Sequence, residues 1–291
     1  MKGFVTRNQL GRKVARRFVA GETVEDAVKA SREMNRLGIH VSLDHLGENT
    51  TNVDEAKKAT EAALEILAAI GKEKLDANIS VKLTSMGQDI DHDLCLDNIC
   101  RLVQQAHQQG NIFIRLDMEG SAYTQSTLDL FRELWDDGHQ NVGIVLQSYL
   151  YRTEQDVEDA IKRQVRVRLC KGAYLEPATV AYQEKAQVDR NYVRCMERLM
   201  SAGNYPGLAT HDETIINHAI DYARQNKIGP ERFEFQMLYG VRRDLQKKLV
   251  GQGYNVRAYI PYGSEWYPYL MRRMAERPAN LFFITSQLWK G

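Results

Sequence analysis

Apolar and polar residues alternate with a period of two in eight short runs, at 39–44, 79–84, 112–117, 142–147, 165–170, 207–211, 233–237 and 256–260. Successive side chains of a strand point to opposite faces. One parity of these runs carries Ile39, Val41 and Leu43, then Ile79, Val81 and Leu83, then Ile112, Ile114 and Leu116, then Val165, Val167 and Leu169, then Phe233, Phe235 and Met237. That set suits packing against helices. The other parity carries Ser42 and Asp44, Lys82 and Thr84, Arg115 and Asp117, Gln147, Arg166 and Arg168, Glu234 and Gln236, and Arg257 and Tyr259.

Segments with helical spacing separate the runs. In 52–74, Ala56, Ala59, Ala63, Leu64, Leu67 and Ile70 form an apolar stripe on a helix rich in Lys and Glu, whose charges read as a solvated face. Eight strands alternating with helices predict an α/β fold, a (β/α)₈ TIM barrel with an N-terminal helical segment before it. No repeat or low-complexity linker divides the chain, so residues 1–291 are expected to form a single barrel domain. In a closed barrel the polar parity faces inward, and it gathers toward the C-terminal strand ends where barrel enzymes place their sites. Buried charge is costly unless paired or matched by a ligand. Two readings therefore fit, a polar active site at that mouth or an internal ion-pair network.

Composition narrows the function classes. The 291 residues are 43% apolar and 26% charged, with 39 Lys+Arg against 38 Asp+Glu. A net charge of +1 gives no reason to expect nucleic acid as a partner. No run reaches the roughly 18 apolar residues of a spanning helix. The first 21 residues lack a signal-peptide pattern, so a cytoplasmic location is expected. Arg7, Arg12, Lys13, Arg16 and Arg17 on that amphipathic segment suit either a solvated face or peripheral contact with the inner face of a membrane. Cys95, Cys100, Cys170 and Cys195 form no C-x-x-C pair and are expected to be free thiols.

Common motifs exclude more than they include. Gly251, Gln252 and Gly253 follow a helix and precede a strand, the reverse of the dinucleotide fingerprint. There is no phosphate loop, nucleophile elbow or H-E-x-x-H helix. His40, Asp44 and His45 cluster near the first strand and His211 and Asp212 near the sixth, but without zinc spacing, so no metal is expected. Lys82 suits a Schiff-base lyase or a carboxylate-binding site. Beyond the eighth strand, Pro268 fits a helix start and puts Arg272 and Arg273 in its first turns, with Glu276 three and four residues later to orient a guanidinium. Cations at a helix N-terminus oppose its dipole, and a bound carboxylate would compensate them.

Several blocks together now carry a resemblance: SLDHLGE at 42–48, RLCKGAY at 168–174, ATHD at 209–212, FEFQML at 233–238, and YIPYG at 259–263 followed by YLMRRMAE at 269–276. Over residues 41–283 the chain resembles the proline dehydrogenase family, including the proline-oxidising domain of bifunctional PutA proteins. The resemblance implies a distorted (β/α)₈ barrel that binds FAD noncovalently, converts L-proline to Δ¹-pyrroline-5-carboxylate and passes electrons to a quinone or similar acceptor. It implies that Lys82, Arg272 and Arg273 grip the substrate carboxylate, that Tyr259 and Leu238 enclose the ring, and that Asp117 and Tyr174 support the polar network. It further implies that Arg168 approaches flavin N5 and that Gln147, Lys171, Gly172, Ala173, Thr210, His211 and Gln236 hold the cofactor. Glu48 resembles the residue that pairs with Arg272 to close the entrance. Cys170 stands where many relatives have valine, and Leu175 and Glu176 replace an aromatic-containing continuation. Hydride loss from proline C5 needs a neutral amine, which a cationic pocket favours over the ammonium. No His or carboxylate stands out as the general base.

Overall fold

The computed structural model describes residues 17–47, 49–267 and 269. Helix α1 (Val24–Arg36) precedes β1 (His40–His45). There follow α2 (Val53–Glu73), β2 (Ala77–Val81), α3 (His92–Gln108), β3 (Ile114–Leu116), α4 (Ser121–Asp136), β4 (Val142–Gln147), α5 (Thr153–Lys162), β5 (Val167–Cys170), α6 (Lys185–Ala202), β6 (Gly207–Ala209), α7 (Glu213–Gln225), β7 (Glu234–Leu238), α8 (Arg243–Gly251) and β8 (Asn255–Tyr262). The eight strands pair in parallel and in sequence order, and β8 closes the barrel on β1 with Ser42 opposite Tyr259. This is the expected (β/α)₈ TIM barrel with a helix before its first strand.

Local chemistry starts the helices where the pattern turns from period two to helical spacing. Thr23 and Asp26 form a capping box at α1, and Asn52, Asp91 and Asp212 accept backbone N–H groups at the starts of α2, α3 and α7. The apolar parity of the strands lies under those helices. Val41, Leu43, Ile79, Ile114, Leu116, Val167, Leu169 and Phe235 are all buried there with Leu67, Ile99 and Met196. Each such side chain contributes roughly 1.5–3 kcal/mol of burial, which holds the helices against the barrel wall.

Two inward expectations fail at run ends. The chain leaves β2 after Val81 and tightens into a 3₁₀ turn at Leu83–Met86, so Thr84 leaves the strand's alternation. Its hydroxyl instead donates to Glu119 at 2.7 Å and accepts from the Asn49 backbone. Arg166 precedes β5 and is exposed, with its guanidinium over the rings of Phe113 and Tyr205. Nor does all the inward charge gather at the C-terminal mouth. Glu234 opens β7, and Arg257 lies opposite His40, the first residue of β1. The inward polar parity therefore divides between the two ends of the barrel, with an ion-paired layer at the floor.

Candidate active site

Six strands deliver polar groups to the upper half of the barrel. Arg168, on β5, is 6% exposed and uses its guanidinium in three directions. Nη1 donates to Asp117 Oδ1 at 2.7 Å, Nε donates to Gln236 Oε1 at 2.5 Å, and Nη2 donates to Ser42 Oγ and Ser80 Oγ at 3.1 Å each. Tyr259 on β8 donates its hydroxyl to the other Asp117 oxygen at 2.8 Å, and its ring lies 5.1 Å from the Arg168 guanidinium carbon. Burial, reinforced by the charges of Asp117 and Asp44, pushes the Tyr259 phenol well above its ordinary value. The phenol therefore stays protonated and remains a donor.

Lys82, the first residue beyond β2, reaches both oxygens of Asp44 at 2.8 and 3.0 Å. A Schiff-base lysine must react as the neutral amine. A carboxylate held against the ammonium opposes that, so the arrangement favours anion binding over the lyase reading.

A second set lies around the ends of β4 to β7. Gln147 is 3% exposed; among the described residues its Oε1 has no hydrogen-bond partner and its Nε2 reaches only the Met118 carbonyl, at 3.5 Å. Backbone pairing continues past β4 and β5, from Ser148 to Cys170 and from Tyr149 to Lys171. It aligns the following loop, which carries Lys171, Gly172, Ala173 and Tyr174. Gly172 has φ +112, and a Cβ there would lie 2.5 Å from the Tyr149 ring, so only glycine lets the loop pass so close. Lys171 bridges Asp189 at 2.5 Å and Asp212 at 3.0 Å. Glu176 anchors the loop at the start of α4, accepting from Ser121 N at 2.6 Å, while Leu175 is fully exposed. His211 Nε2 accepts the Leu238 N–H at 3.0 Å. That bond uses Nε2 as an acceptor. Thr210 Oγ1 accepts from the Asp212 backbone at 3.1 Å, which leaves its hydroxyl hydrogen to donate.

Below Arg168 sits a separate ionic layer. Arg257 Nε donates to Glu234 Oε1 at 2.7 Å, and Arg115 Nη1 donates to the carbonyls of Ile144 and Arg166 at 3.0 and 2.6 Å. Burial, aided by the like charge of Arg168, lowers the Arg115 guanidinium well below its ordinary value.

A mouth built of ion-paired polar groups with this ordered series of blocks points to one family, and its model for proline dehydrogenase matches residues 27–286. The chain belongs to the proline dehydrogenase family. The proline dehydrogenase of Deinococcus radiodurans is 45% identical over 285 residues, which cover 96% of this chain and 91% of that protein. Proline dehydrogenase 2 of Bacillus subtilis strain 168 is 39% identical, with 98% of this chain and 94% of that one covered. Among solved structures, PutA of Bdellovibrio bacteriovorus inactivated by N-propargylglycine aligns at a TM-score of 0.86 and 27% identity. The match covers 94% of this chain, which spans 33% of that longer PutA chain. PutA of Bradyrhizobium japonicum shares the fold at a TM-score of 0.79 and 23% identity.

Within this proline dehydrogenase barrel, the structure brings Arg168, Asp117, Tyr259 and Gln236 into one hydrogen-bonded array. Lys82 forms a pair with Asp44, and Leu238 touches His211 through its backbone. Glu48, Arg272, Arg273 and Glu276 lie outside the described residues. Sequence reasoning missed Ser80, which shares the parity of Lys82 and binds Arg168. It gave Asp44 no partner, although Asp44 and Lys82 share the inward parity of adjacent strands. Glu119 lies in a loop and had no periodic signal.

Proposed function

We propose that the chain binds FAD and oxidises L-proline to Δ¹-pyrroline-5-carboxylate, with a quinone or similar molecule as the final electron acceptor. Proline dehydrogenase activity follows from family membership. The single observation that carries the finer reading is the Arg168–Asp117–Tyr259 array, a fixed cation and a protonated phenol at the mouth of the barrel.

The residues present fit a flavin. Among the described residues the Gln147 carbonyl is buried and unpartnered, Gly172 lets the loop fold closely over Tyr149, and the Thr210 hydroxyl has a proton to donate. Such a donor and acceptor set suits a heteroaromatic ring edge and its phosphates. Gln147, Arg168, Lys171, Gly172, Ala173, Thr210, His211 and Gln236 would hold the cofactor. When bound, the flavin supplies a two-electron acceptor whose N5 takes the hydride leaving proline C5.

The chain's own residues position and polarise. Lys82, with Arg272 and Arg273 beyond the described residues, binds the substrate carboxylate, and Glu276 orients the arginines. Tyr259 and Leu238 enclose the ring, while Asp117 and Tyr174 support the polar array. Arg168, fixed by four hydrogen bonds, keeps positive charge where electron density accumulates. With Lys82 and Arg168 paired to Asp44 and Asp117, Arg272 and Arg273 would supply the positive charge that disfavours a substrate ammonium, so the amine loses its proton before or as the hydride leaves. Glu48 closes the entrance by pairing with Arg272.

We further propose that residues 1–291 act as one domain. Among the described residues no helix is long and apolar enough to cross a membrane. Access to a lipid-soluble acceptor would then run through transient peripheral contact made by the basic N-terminal segment. Reconstitution with FAD, followed by proline addition under anaerobic conditions, tests the reading. Bleaching of the visible flavin band supports it; a reconstituted protein whose band survives saturating proline overturns it.

A further inference from the structure

A line of hydrogen bonds climbs from the barrel floor to Arg168. Arg257 Nε donates to Glu234 Oε1 at 2.7 Å, Gln236 Nε2 donates to that same oxygen at 2.5 Å, and Gln236 Oε1 accepts from Arg168 Nε at 2.5 Å. A glutamine amide donates only at its nitrogen and accepts only at its oxygen, and the two ends are almost identical in shape. Packing alone therefore does not decide which end meets Arg168. Arg168, which only donates, calls for the oxygen, and an ionised carboxylate at the far end, which only accepts, calls for the nitrogen, so Glu234 locks the amide in the polarity that Arg168 needs.

Burial on its own raises the Glu234 carboxyl; the attraction of Arg257, its hydrogen bond and that of Gln236 outweigh this and hold it down to about 2. Glu234 is thus an acceptor at every working pH. Space is provided as well. A Cβ on Gly207, the residue opposite Glu234 on β6, would lie 2.7 Å from Gln236 Cδ. Glycine at 207 leaves the volume in which the amide sits.

We propose that Glu234 is a positioning residue that sets the polarity of the Gln236 amide and through it the orientation of Arg168. The proposal rests on the reading that Arg168 serves the flavin. With the amide reversed, Gln236 Nε2 would face the Arg168 Nε–H and Oε1 would face Glu234. Two donors and two acceptors would then confront each other in a buried layer, where unmatched groups are expensive. Arg168 would keep only the bonds at its Nη ends and would pivot about them.

The test is a charge-conserving swap. Glu234→Gln and Gln236→Glu are made singly and together, loaded with FAD, and followed by single-turnover flavin reduction over a proline titration. In the double variant the amide at 234 accepts from Arg257 and donates upward, and the carboxylate at 236 accepts from Arg168, so net charge is kept and every donor still meets an acceptor, with only the bond between 234 and 236 reversed. Each single variant should reduce its flavin at least about tenfold more slowly, with proline affinity within about threefold of the parent. The double variant should run at least about fivefold faster than either single. The urea midpoint of the flavin-free proteins should follow the same order, a readout independent of turnover. Gly207→Ala crowds the same amide without changing any charge, and it decides the matter if the single variants do not fold. It should slow flavin reduction at least about fivefold with proline affinity retained. Single variants or Gly207→Ala within about twofold of the parent overturn the proposal, as does a double variant no faster than the singles. Arg168→Lys separates the two levels. If it leaves reduction unchanged, the reading of Arg168 itself fails; if it slows reduction while the Glu234 and Gly207 variants do not, only the positioning role fails.

Discussion

Asp44 meets the Lys82 ammonium with both carboxylate oxygens, at 2.8 and 3.0 Å, so the cation proposed to receive a substrate carboxylate is already paired. Lys82 is nearly buried and Asp44 fully so. Asp44→Asn keeps a hydrogen-bonding side chain but removes the competing charge. It should tighten binding of a proline-like carboxylate inhibitor several-fold while costing roughly 1.5–3 kcal/mol of stability, the range for a hydrogen bond to a charged group. Inhibitor titration and urea unfolding measure the two arms. An Asp44→Asn protein that binds the inhibitor more weakly would show that the pair orients Lys82 rather than competing with the ligand.

Tyr259 and Arg168 divide the two oxygens of Asp117 between them. Tyr259→Phe keeps the ring against the guanidinium but leaves one Asp117 oxygen without its donor, at a cost of roughly 1–3 kcal/mol. Proline affinity should fall by about tenfold, and the proportional loss should be smaller for Asp117→Asn, where the phenol can still find an oxygen. Stopped-flow reduction over a proline titration checks both. Equal affinity in the parent and Tyr259→Phe would remove this bond from substrate recognition.

The barrel was legible because its strands obey one alternation, with Leu43, Ile79, Leu116, Leu169 and Phe235 on the outer parity and Asp44, Lys82, Asp117, Arg168 and Gln236 on the inner. Parity says which face a residue takes, but not how far along the barrel axis it sits. The floor layer of Arg115, Glu234 and Arg257 was therefore grouped with the mouth, though strand register puts Arg257 level with the first residue of β1. Parity also ends where a strand ends, which is why Thr84 was misplaced by the 3₁₀ turn after β2. Pairings such as Lys82 with Asp44 depend on side-chain reach across neighbouring strands, and a one-dimensional pattern does not encode that reach.

The floor layer gives an acid limit to stability. Glu234 has an ordinary carboxyl value of 4.5 when unfolded and is held to about 2 when folded, so its contribution is complete above 4.5 and is lost as pH falls through 2. The linkage amounts to roughly 3 kcal/mol over that interval. Urea midpoints measured from pH 5 down to pH 2 should fall more steeply for the parent than for Glu234→Gln. Parallel profiles would mean that other carboxylates dominate acid unfolding.

Gly172 has both a left-handed φ and the Tyr149 ring where a Cβ would go. Gly172→Ala therefore combines strain of roughly 1–3 kcal/mol with a clash that lifts the loop carrying Lys171, Ala173 and Tyr174. FAD affinity should drop by about tenfold or more, with far-ultraviolet circular dichroism unchanged because no strand or helix includes residue 172. Tyr149→Ala in the same background relieves the clash and should recover part of the loss. A fully flavin-loaded Gly172→Ala protein would show that this loop does not carry the cofactor.

Arg272 and Arg273 follow the last strand in sequence, and if Pro268 opens a helix, as the pattern predicts, two adjacent guanidiniums in its first turns need a compensating anion. Truncating one partner of a desolvated, hydrogen-bonded charge pair costs roughly 2–5 kcal/mol. That range corresponds to about 30-fold to several-thousand-fold weaker recognition of the reacting substrate. Arg272→Met and Arg273→Met keep an apolar stem of similar reach to arginine Nε, so the comparison chiefly removes the guanidinium's charge and hydrogen bonds. After FAD occupancy has been matched, both variants should lose proline and carboxylate-inhibitor affinity, whereas proline amide, with no carboxylate to grip, should be almost indifferent to either change. The amide control separates lost recognition from general damage to the site, because damage would slow both substrates alike. Inhibitor affinity and reductive efficiency within about twofold of the parent for both variants would return these arginines to a surface or structural role and leave the Lys82–Asp44 pair to meet the carboxylate.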